Sequence, residues 1–167
     1  TLRDGHRAQP GMTGRLQAPA RVFHGDTVCR LQCDSAYLAE AFDGEHLTRD
    51  LSEGDHVLEV TGTMRYSRTG EGLHRFVDPV DKEVYLYSQF EVADARRVFA
   101  CYDQPDLKGT FTWTVTATGH WQLLSVSPTP PPEPRGDGTA VWRFGTTQRM
   151  STYVTAIVAG PYQGVCQ

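Results

Sequence analysis

The chain has 167 residues, a formal net charge of −4 and a mean hydropathy of −0.43. This length suits one domain, and a hydrophobic fraction of 39% allows a buried core, which excludes an intrinsically disordered chain. The mild acidity argues against a nucleic-acid-binding protein, because no broad basic surface would neutralise phosphates. No apolar run approaches the roughly 20 residues of a membrane-spanning helix. We therefore expect neither nucleic acid nor a membrane as a partner.

The choice of residues indicates a GC-rich genome, such as that of an actinomycete. Arginine outnumbers lysine 14 to 2, there is one isoleucine, and asparagine is absent. The three scarce residue types have AT-rich codons. Selection for guanidinium groups is the weaker explanation of the same bias.

The four cysteines are Cys29, Cys33, Cys101 and Cys166. In a strand, the side chains of Cys29 and Cys33 would lie roughly 13 Å apart, which is too far for one metal ion. The six histidines are scattered along the chain. We therefore expect free thiols, no metal site, no cofactor and a cytoplasmic location, although the even number of cysteines permits disulfides.

Strand patterns dominate the chain. From the N-terminus, the candidate strands are residues 27–32, 56–62, 84–90, 110–117, 121–126, 140–144 and 153–159. In the fourth, Phe111, Trp113 and Val115 share one face and threonines share the other, which predicts a half-buried antiparallel strand. Residues 118–120 have the composition of a turn and predict a hairpin that joins this strand to the next one.

Helix patterns are few. Residues 92–99 predict two helical turns that end before Pro105, and residues 35–42 predict a second short helix or turn. The proline-rich residues 128–134 favour an extended surface loop over a proline-recognition ligand. The sequence predicts an all-β fold in a single domain over residues 1–167. Its antiparallel sheets would form a saddle or sandwich with one or two short helices.

Two polar and aromatic segments, residues 66–78 and 85–108, carry the candidate chemistry. Gln89 and Glu91 alternate at the end of a predicted strand, so both should project on one face beside aromatic side chains. An amide and a carboxylate beside aromatic walls suit a ligand's ammonium group. The neighbouring arginines, Arg96 and Arg97, have a plainer interpretation as partners of nearby aspartates that fix a loop.

An ordered series of motifs covers about two thirds of the chain, from residue 55 to residue 162. It consists of residues 68–76, 87–91, 94–99, 103–108, 125–128, 150–153 and 158–162. This series resembles the N-terminal domain of the aminopeptidase N family of zinc peptidases, in its actinobacterial form. The resemblance implies a β-saddle beside a catalytic domain, with Gln89 matching a glutamine that helps to bind the substrate's free α-amine. The family's zinc ligands and catalytic glutamate belong to the next domain and are not in this sequence, so peptide hydrolysis by this chain alone is excluded.

The sequence also departs from the family pattern at its beginning. Only 17 residues precede the region that matches Ala18 and Pro19, so the family's first hairpin is expected to be missing. We interpret the chain as a shortened, stand-alone descendant rather than a fragment. A missing hairpin would leave a bare sheet edge, which a homo-oligomer could cover.

The leading hypothesis is a metal-free enzyme or binding protein for a primary, amino-acid-like amine in an actinomycete natural-product pathway. Its reaction would be imine formation and cyclisation of the Pictet–Spengler type, which needs oriented reactants and a proton-shuttling carboxylate. The candidate catalytic carboxylates are Glu71, Glu91 and Asp103, and the candidate substrate-binding residues are Gln89, Tyr85, Tyr87, Phe90 and Tyr102. The alternative is a non-catalytic module that recognises the substrate amine for a zinc aminopeptidase. A third, weaker hypothesis is a scaffold that binds a partner through the proline loop.

Overall fold

A computed structural model describes residues 64–164 of the chain. The strands in this range are β1 (Gly72–Val77), β2 (Val84–Gln89), β3 (Thr114–Thr118), β4 (Gln122–Ser125), β5 (Glu133–Pro134), β6 (Thr139–Arg143) and β7 (Ile157–Gly160). Two short 3₁₀ turns, Ala95–Arg97 and Thr152–Val154, are the helical elements of the described range. The all-β prediction with one or two short helices is confirmed. No helix within these residues is long and apolar enough to cross a membrane.

The strands form two antiparallel sheets that share one core. The first sheet has the order β1-β2-β7-β4, and the second has the order β3-β6-β5. Leu86, Leu123 and Ala159 of the first sheet pack in the same buried cluster as Val115 and Trp142 of the second. Because each strand alternates, one face of each sheet lies in this core and the other face is left outside.

Several sequence predictions fall outside residues 64–164. These are the candidate strands at 27–32 and 56–62, the short helix at 35–42, and the cysteines Cys29, Cys33 and Cys166. Within the described range, Cys101 is a free thiol, and burial raises its pKa to about 12. The proline-rich segment is an exposed connection between strands, as predicted, and its last two residues form β5 on the edge of β6.

The predicted hairpin across residues 118–120 is wrong. β3 pairs with β6, whereas β4 pairs with β7 in the other sheet. The turn closes through a bond from the Trp121 amide to the Thr118 carbonyl, and the Gly119 amide bonds to the Gly138 carbonyl. The chain thus crosses from one sheet to the other here, with Trp121 buried at the crossing. Alternation within each strand does not distinguish a hairpin from such a crossing. In either arrangement each strand turns its apolar side chains toward the core, so the sequence pattern is the same.

The predicted two-turn helix over residues 92–99 is reduced to the 3₁₀ turn at Ala95–Arg97. The backbone amide of Arg96 donates to the Asp103 carboxylate at 3.0 Å, which replaces a bond of the helical ladder. Ala95 is fully buried and anchors the turn. An eight-residue segment gains little from helix propagation, so tertiary contacts such as this bond can outweigh its helical pattern.

Strand β1 was not predicted from the sequence, and its pairing with β2 positions the candidate site. The register sets Gly72 opposite Gln89, His74 opposite Tyr87, and Phe76 opposite Tyr85. With alternation, these residues share the face of the first sheet that points away from the core, while Leu86 points into it. We call this face the outer face.

Candidate functional site

Gln89 and Glu91 form an exposed corner at the end of β2, and we call it the amine corner. Gln89 is the last residue of the strand, and Glu91 follows two residues later. Both side chains are exposed, and the amide oxygen of Gln89 accepts a 2.5 Å bond from the backbone amide of Glu91. This bond fixes the Gln89 side chain beside the base of the Glu91 side chain. The pairing of the Gln89 amide with the Glu91 carboxylate itself stays a prediction.

Glu71 lies near the same corner, because it precedes Gly72, which is opposite Gln89 in the register. The Thr69 hydroxyl donates to its carboxylate, and this bond, ahead of the more distant Arg97 guanidinium, lowers the pKa of Glu71. Gly72 has a φ of +67°, and a β-carbon there would lie 3.3 Å from the Arg97 β-carbon. Glycine at this position allows β1 to begin against the 3₁₀ turn.

The side-chain hydrogen bonds of Asp103 are made with Arg96 and Thr152, not with the residues of the amine corner. One carboxylate oxygen accepts the Arg96 amide, and the other accepts the Thr152 hydroxyl at 2.7 Å. The nearby Arg97 pairs with Asp94 at 2.5 Å. Asp103 therefore holds the first 3₁₀ turn to the second, which is the loop-fixing role that the plainer interpretation gave to this segment.

The four predicted aromatic walls are divided between different surroundings. Tyr85 and Tyr87 lie on the outer face with Gln89. Phe90 points the other way and is 2% exposed, packed edge-on against Phe99. Tyr102 is exposed in the loop that precedes Asp103. Two of the four predicted walls thus share a face with the amine corner.

Sequence reasoning missed an open hollow on the outer face, with a volume of about 360 Å³. His74, Phe76, Asp78, Tyr85, Tyr87 and Tyr162 line it. In the sequence, the spacing of His74 and Phe76 by two residues indicates that both side chains lie on one face of a strand. It could be interpreted only with the register of β1 against β2, which the sequence alone did not provide.

The hydroxyl of Tyr85 donates to Asp81 at 2.7 Å, and this bond raises the pKa of Tyr85 to about 12. Because the folded pKa lies above the ordinary value, this contribution to stability is complete below pH 10 and is lost as the pH rises toward 12. We expect the NMR signal of the ring carbon that bears the Tyr85 hydroxyl to report a pKa of about 12. In Asp81→Asn the same signal should report a pKa nearer the ordinary value. The assignment would be refuted if the pKa of Tyr85 in Asp81→Asn stayed at the value of the unchanged chain. It would also be refuted if the control Asp106→Asn lowered the pKa of Tyr85 as much as Asp81→Asn does.

No three His, Cys, Asp or Glu side chains among residues 64–164 are grouped so that they could hold a metal ion. The candidate site residues of the described part are carboxylates, an amide and aromatic rings. Such groups bind cations and amines without a metal.

Comparison with known families adds the decisive observation. The sequence profile described as the Peptidase M1 N-terminal domain matches residues 37–154, which is more than half of the chain. The chain belongs to the Peptidase M1 N-terminal domain family. This confirms the resemblance seen in the sequence, and the matched range includes Gln89, Glu91, Glu71 and Asp103.

Relatives of this M1 N-terminal domain are much longer proteins. It is 50% identical to an aminopeptidase N of Streptomyces lividans over 81% of the chain, and 36% identical to an aminopeptidase N of Acetobacter pasteurianus over 72%. It is 31% identical to human aminopeptidase Q over 83% of the chain. The matched region spans 15%, 35% and 15% of these relatives, respectively.

Proposed function

We propose that this M1 N-terminal domain is a non-catalytic module that recognises the primary amine of a peptide or amino-acid-like substrate at the amine corner. The observation that carries the proposal is the hydrogen bond that fixes the exposed Gln89 amide on the Glu91 backbone. The relatives named aminopeptidases support it, because an aminopeptidase must recognise a free amino end.

The chemistry of the two groups suits an ammonium ion. An amide oxygen has two lone pairs, and the Glu91 amide occupies one of them, which leaves one acceptor directed from a fixed side chain. In this proposal the carboxylate of Glu91, two residues after Gln89, supplies the negative charge. An ammonium group has three donors and no acceptor, so an amide oxygen and a carboxylate together suit it.

Neighbouring charges favour a cation at this corner. Glu71 carries a second carboxylate nearby, and its lowered pKa keeps it ionised at neutral pH. On the adjacent turn, Arg97, whose charge also helps to lower the pKa of Glu71, is paired with Asp94. In this proposal the carboxylates of Glu71 and Glu91 attract an ammonium group, while Arg65, Arg68 and Arg97, which line a neighbouring hollow beside Gly72, offset part of that charge.

Imine formation and cyclisation of the Pictet–Spengler type, in an actinomycete pathway, stays a prediction. A lowered pKa makes Glu71 a poor proton donor at neutral pH. Both carboxylate oxygens of Asp103 already accept hydrogen bonds. Amine recognition by a non-catalytic module requires neither carboxyl group to move a proton. The cytoplasmic location and a homo-oligomer through a sheet edge likewise stay predictions.

A titration followed by NMR chemical shifts tests the proposal on the 167-residue chain. We expect L-phenylalaninamide at pH 6.5 to shift the backbone resonances of Gln89 and Glu91 with a dissociation constant in the millimolar range. The acetylated compound Nα-acetyl-L-phenylalaninamide should leave them unchanged. Glu91→Gln should weaken binding by about two- to fivefold, as expected for an exposed charge contact.

Gln104→Ala is the matched control, because Gln104 is also exposed and its backbone, not its side chain, bonds to Tyr102 and Leu107. It should bind the amine as the unchanged chain does, whereas Gln89→Ala should bind it less tightly. Equal binding of the free and acetylated compounds, or equal weakening by the two glutamine variants, would overturn the proposal.

A further inference from the structure

The hollow on the outer face is a second candidate site, separate in its lining from the amine corner. Its residues come from β1, from β2, from the turn between them and from the segment after β7, and neither Gln89 nor Glu91 is among them. A volume of about 360 Å³ is large enough for a long side chain, and the hollow is open to solvent on one side. Its lining combines aromatic rings with a carboxylate.

The aromatic walls are held in place before any ligand arrives. The rings of His74 and Tyr87 lie 4.9 Å apart at an angle of 32°, and those of Tyr85 and Tyr162 meet edge-on at 5.0 Å. The Gly70 amide donates to His74 Nδ1, which fixes the imidazole. Preorganised walls reduce the entropy lost on binding.

Enough ring surface stays accessible for a ligand to stack on it. Tyr87 is 39% exposed and Phe76 is 45% exposed. The electron-rich face of an aromatic ring attracts a cation within about 6 Å of its centre. The hollow therefore offers accessible aromatic surface that favours an organic cation.

Acidic side chains give this hollow its charge. Asp78 lines it, and Asp81 and Glu83 lie in the same turn between β1 and β2. Lys82 is the cation of this turn, and its ammonium group donates to the Pro79 carbonyl. These three carboxylates and the one ammonium group give the turn, which borders the hollow, a net negative charge. His120 adds positive charge only when protonated, and it lies 3.9 Å from Glu83.

We propose that the hollow binds an arginine side chain presented by a partner polypeptide. A planar guanidinium can stack on the ring of Phe76, two residues before Asp78 on the same side of β1, while its fork of N–H donors reaches the Asp78 carboxylate. The apolar stem of the arginine side chain would then lie along Tyr87. An ammonium group cannot stack in this way, because it is compact and strongly hydrated. The negative rim complements the charge of such a side chain, and the openness of the hollow allows it to enter from a protein surface.

The probe for this site is Nα-acetyl-L-arginine amide, which has no free amine and so does not test the amine corner. We expect it to shift the resonances of His74, Tyr85 and Tyr87 in the 167-residue chain, more weakly as salt is raised. The neutral isostere Nα-acetyl-L-citrulline amide should bind at least about threefold less tightly. Asp78→Asn, which keeps the oxygen that accepts the Val80 amide, should weaken arginine binding by about two- to fivefold.

Two controls keep the result decisive. Tyr87→Leu should weaken binding of the arginine probe, whereas Tyr153→Leu, at a tyrosine of similar exposure on the second 3₁₀ turn, should not. Equal binding of arginine and citrulline would overturn the proposal and indicate a site for neutral side chains. Shifts that appear on dilution or concentration of the chain alone would assign the hollow to a second copy and would also overturn it.

Discussion

Leu123→Ala is expected to lower the free energy of unfolding by about 2–5 kcal/mol, the range for a buried leucine whose removal leaves a cavity. Leu123 is fully buried in β4, opposite Ala159 of β7, and it belongs to the core shared by the two sheets. A small domain has only about 5–15 kcal/mol in total, so this variant should unfold at a much lower urea concentration. The measurement is urea unfolding followed by tryptophan fluorescence.

The matched control is the next residue on the same strand. Leu124 points to the outer face and is 51% exposed, so Leu124→Ala should change the free energy of unfolding by no more than about 0.5 kcal/mol. Similar losses in the two variants would contradict the alternation of β4 and its place in the first sheet. Because all tryptophans are retained, the same fluorescence signal reports on both variants.

Gly160→Ala is expected to lower the free energy of unfolding by about 1–3 kcal/mol, because it overpacks a tight contact. A β-carbon at Gly160 would lie 3.1 Å from the Tyr85 ring, from the Tyr162 ring and from the Val84 carbonyl oxygen. The rings could shift, but the carbonyl belongs to β2, which β7 pairs with directly. Thermal or urea unfolding of the variant measures the loss.

Gly136→Ala is the control for this substitution. No atom lies within 4 Å of a β-carbon built at Gly136, which is exposed between β5 and β6. The same chemical change there should leave stability within about 0.5 kcal/mol, or raise it slightly by restricting the unfolded chain. If Gly160→Ala is as stable as Gly136→Ala, the close packing of Tyr85 and Tyr162 over β7 is wrong.

The sequence predicted strands better than it predicted which strands are neighbours. The alternation of Trp113 and Val115 identified a buried face correctly, since that pattern depends only on which side chains avoid water. The hairpin across residues 118–120 failed because a short turn can join strands within a sheet or carry the chain between sheets. Strand β1 was missed because its apolar pattern is weak: Leu73 packs against the core, whereas His74 and Phe76 face an open hollow.

The candidate site was predictable where it depended on neighbours in the chain. Gln89 and Glu91 are two residues apart, which accounts for the bond between the Gln89 side chain and the Glu91 backbone, and the family resemblance singled out Gln89. Asp103 was less predictable, because its partner Thr152 lies 49 residues away. Phe90 lies on the buried side of β2, which its position between Gln89 and Glu91 already implied once Gln89 was known to face outward.

The central claim is that Gln89 and Glu91 grip a primary amine together. A crystal of the 167-residue chain soaked with L-phenylalaninamide tests it most directly. We predict electron density that places the ammonium nitrogen about 2.7–3.2 Å from both the Gln89 amide oxygen and a Glu91 carboxylate oxygen. An ammonium group bound elsewhere on the chain, or a fully accessible amine corner without the compound at saturating concentration, would contradict the claim.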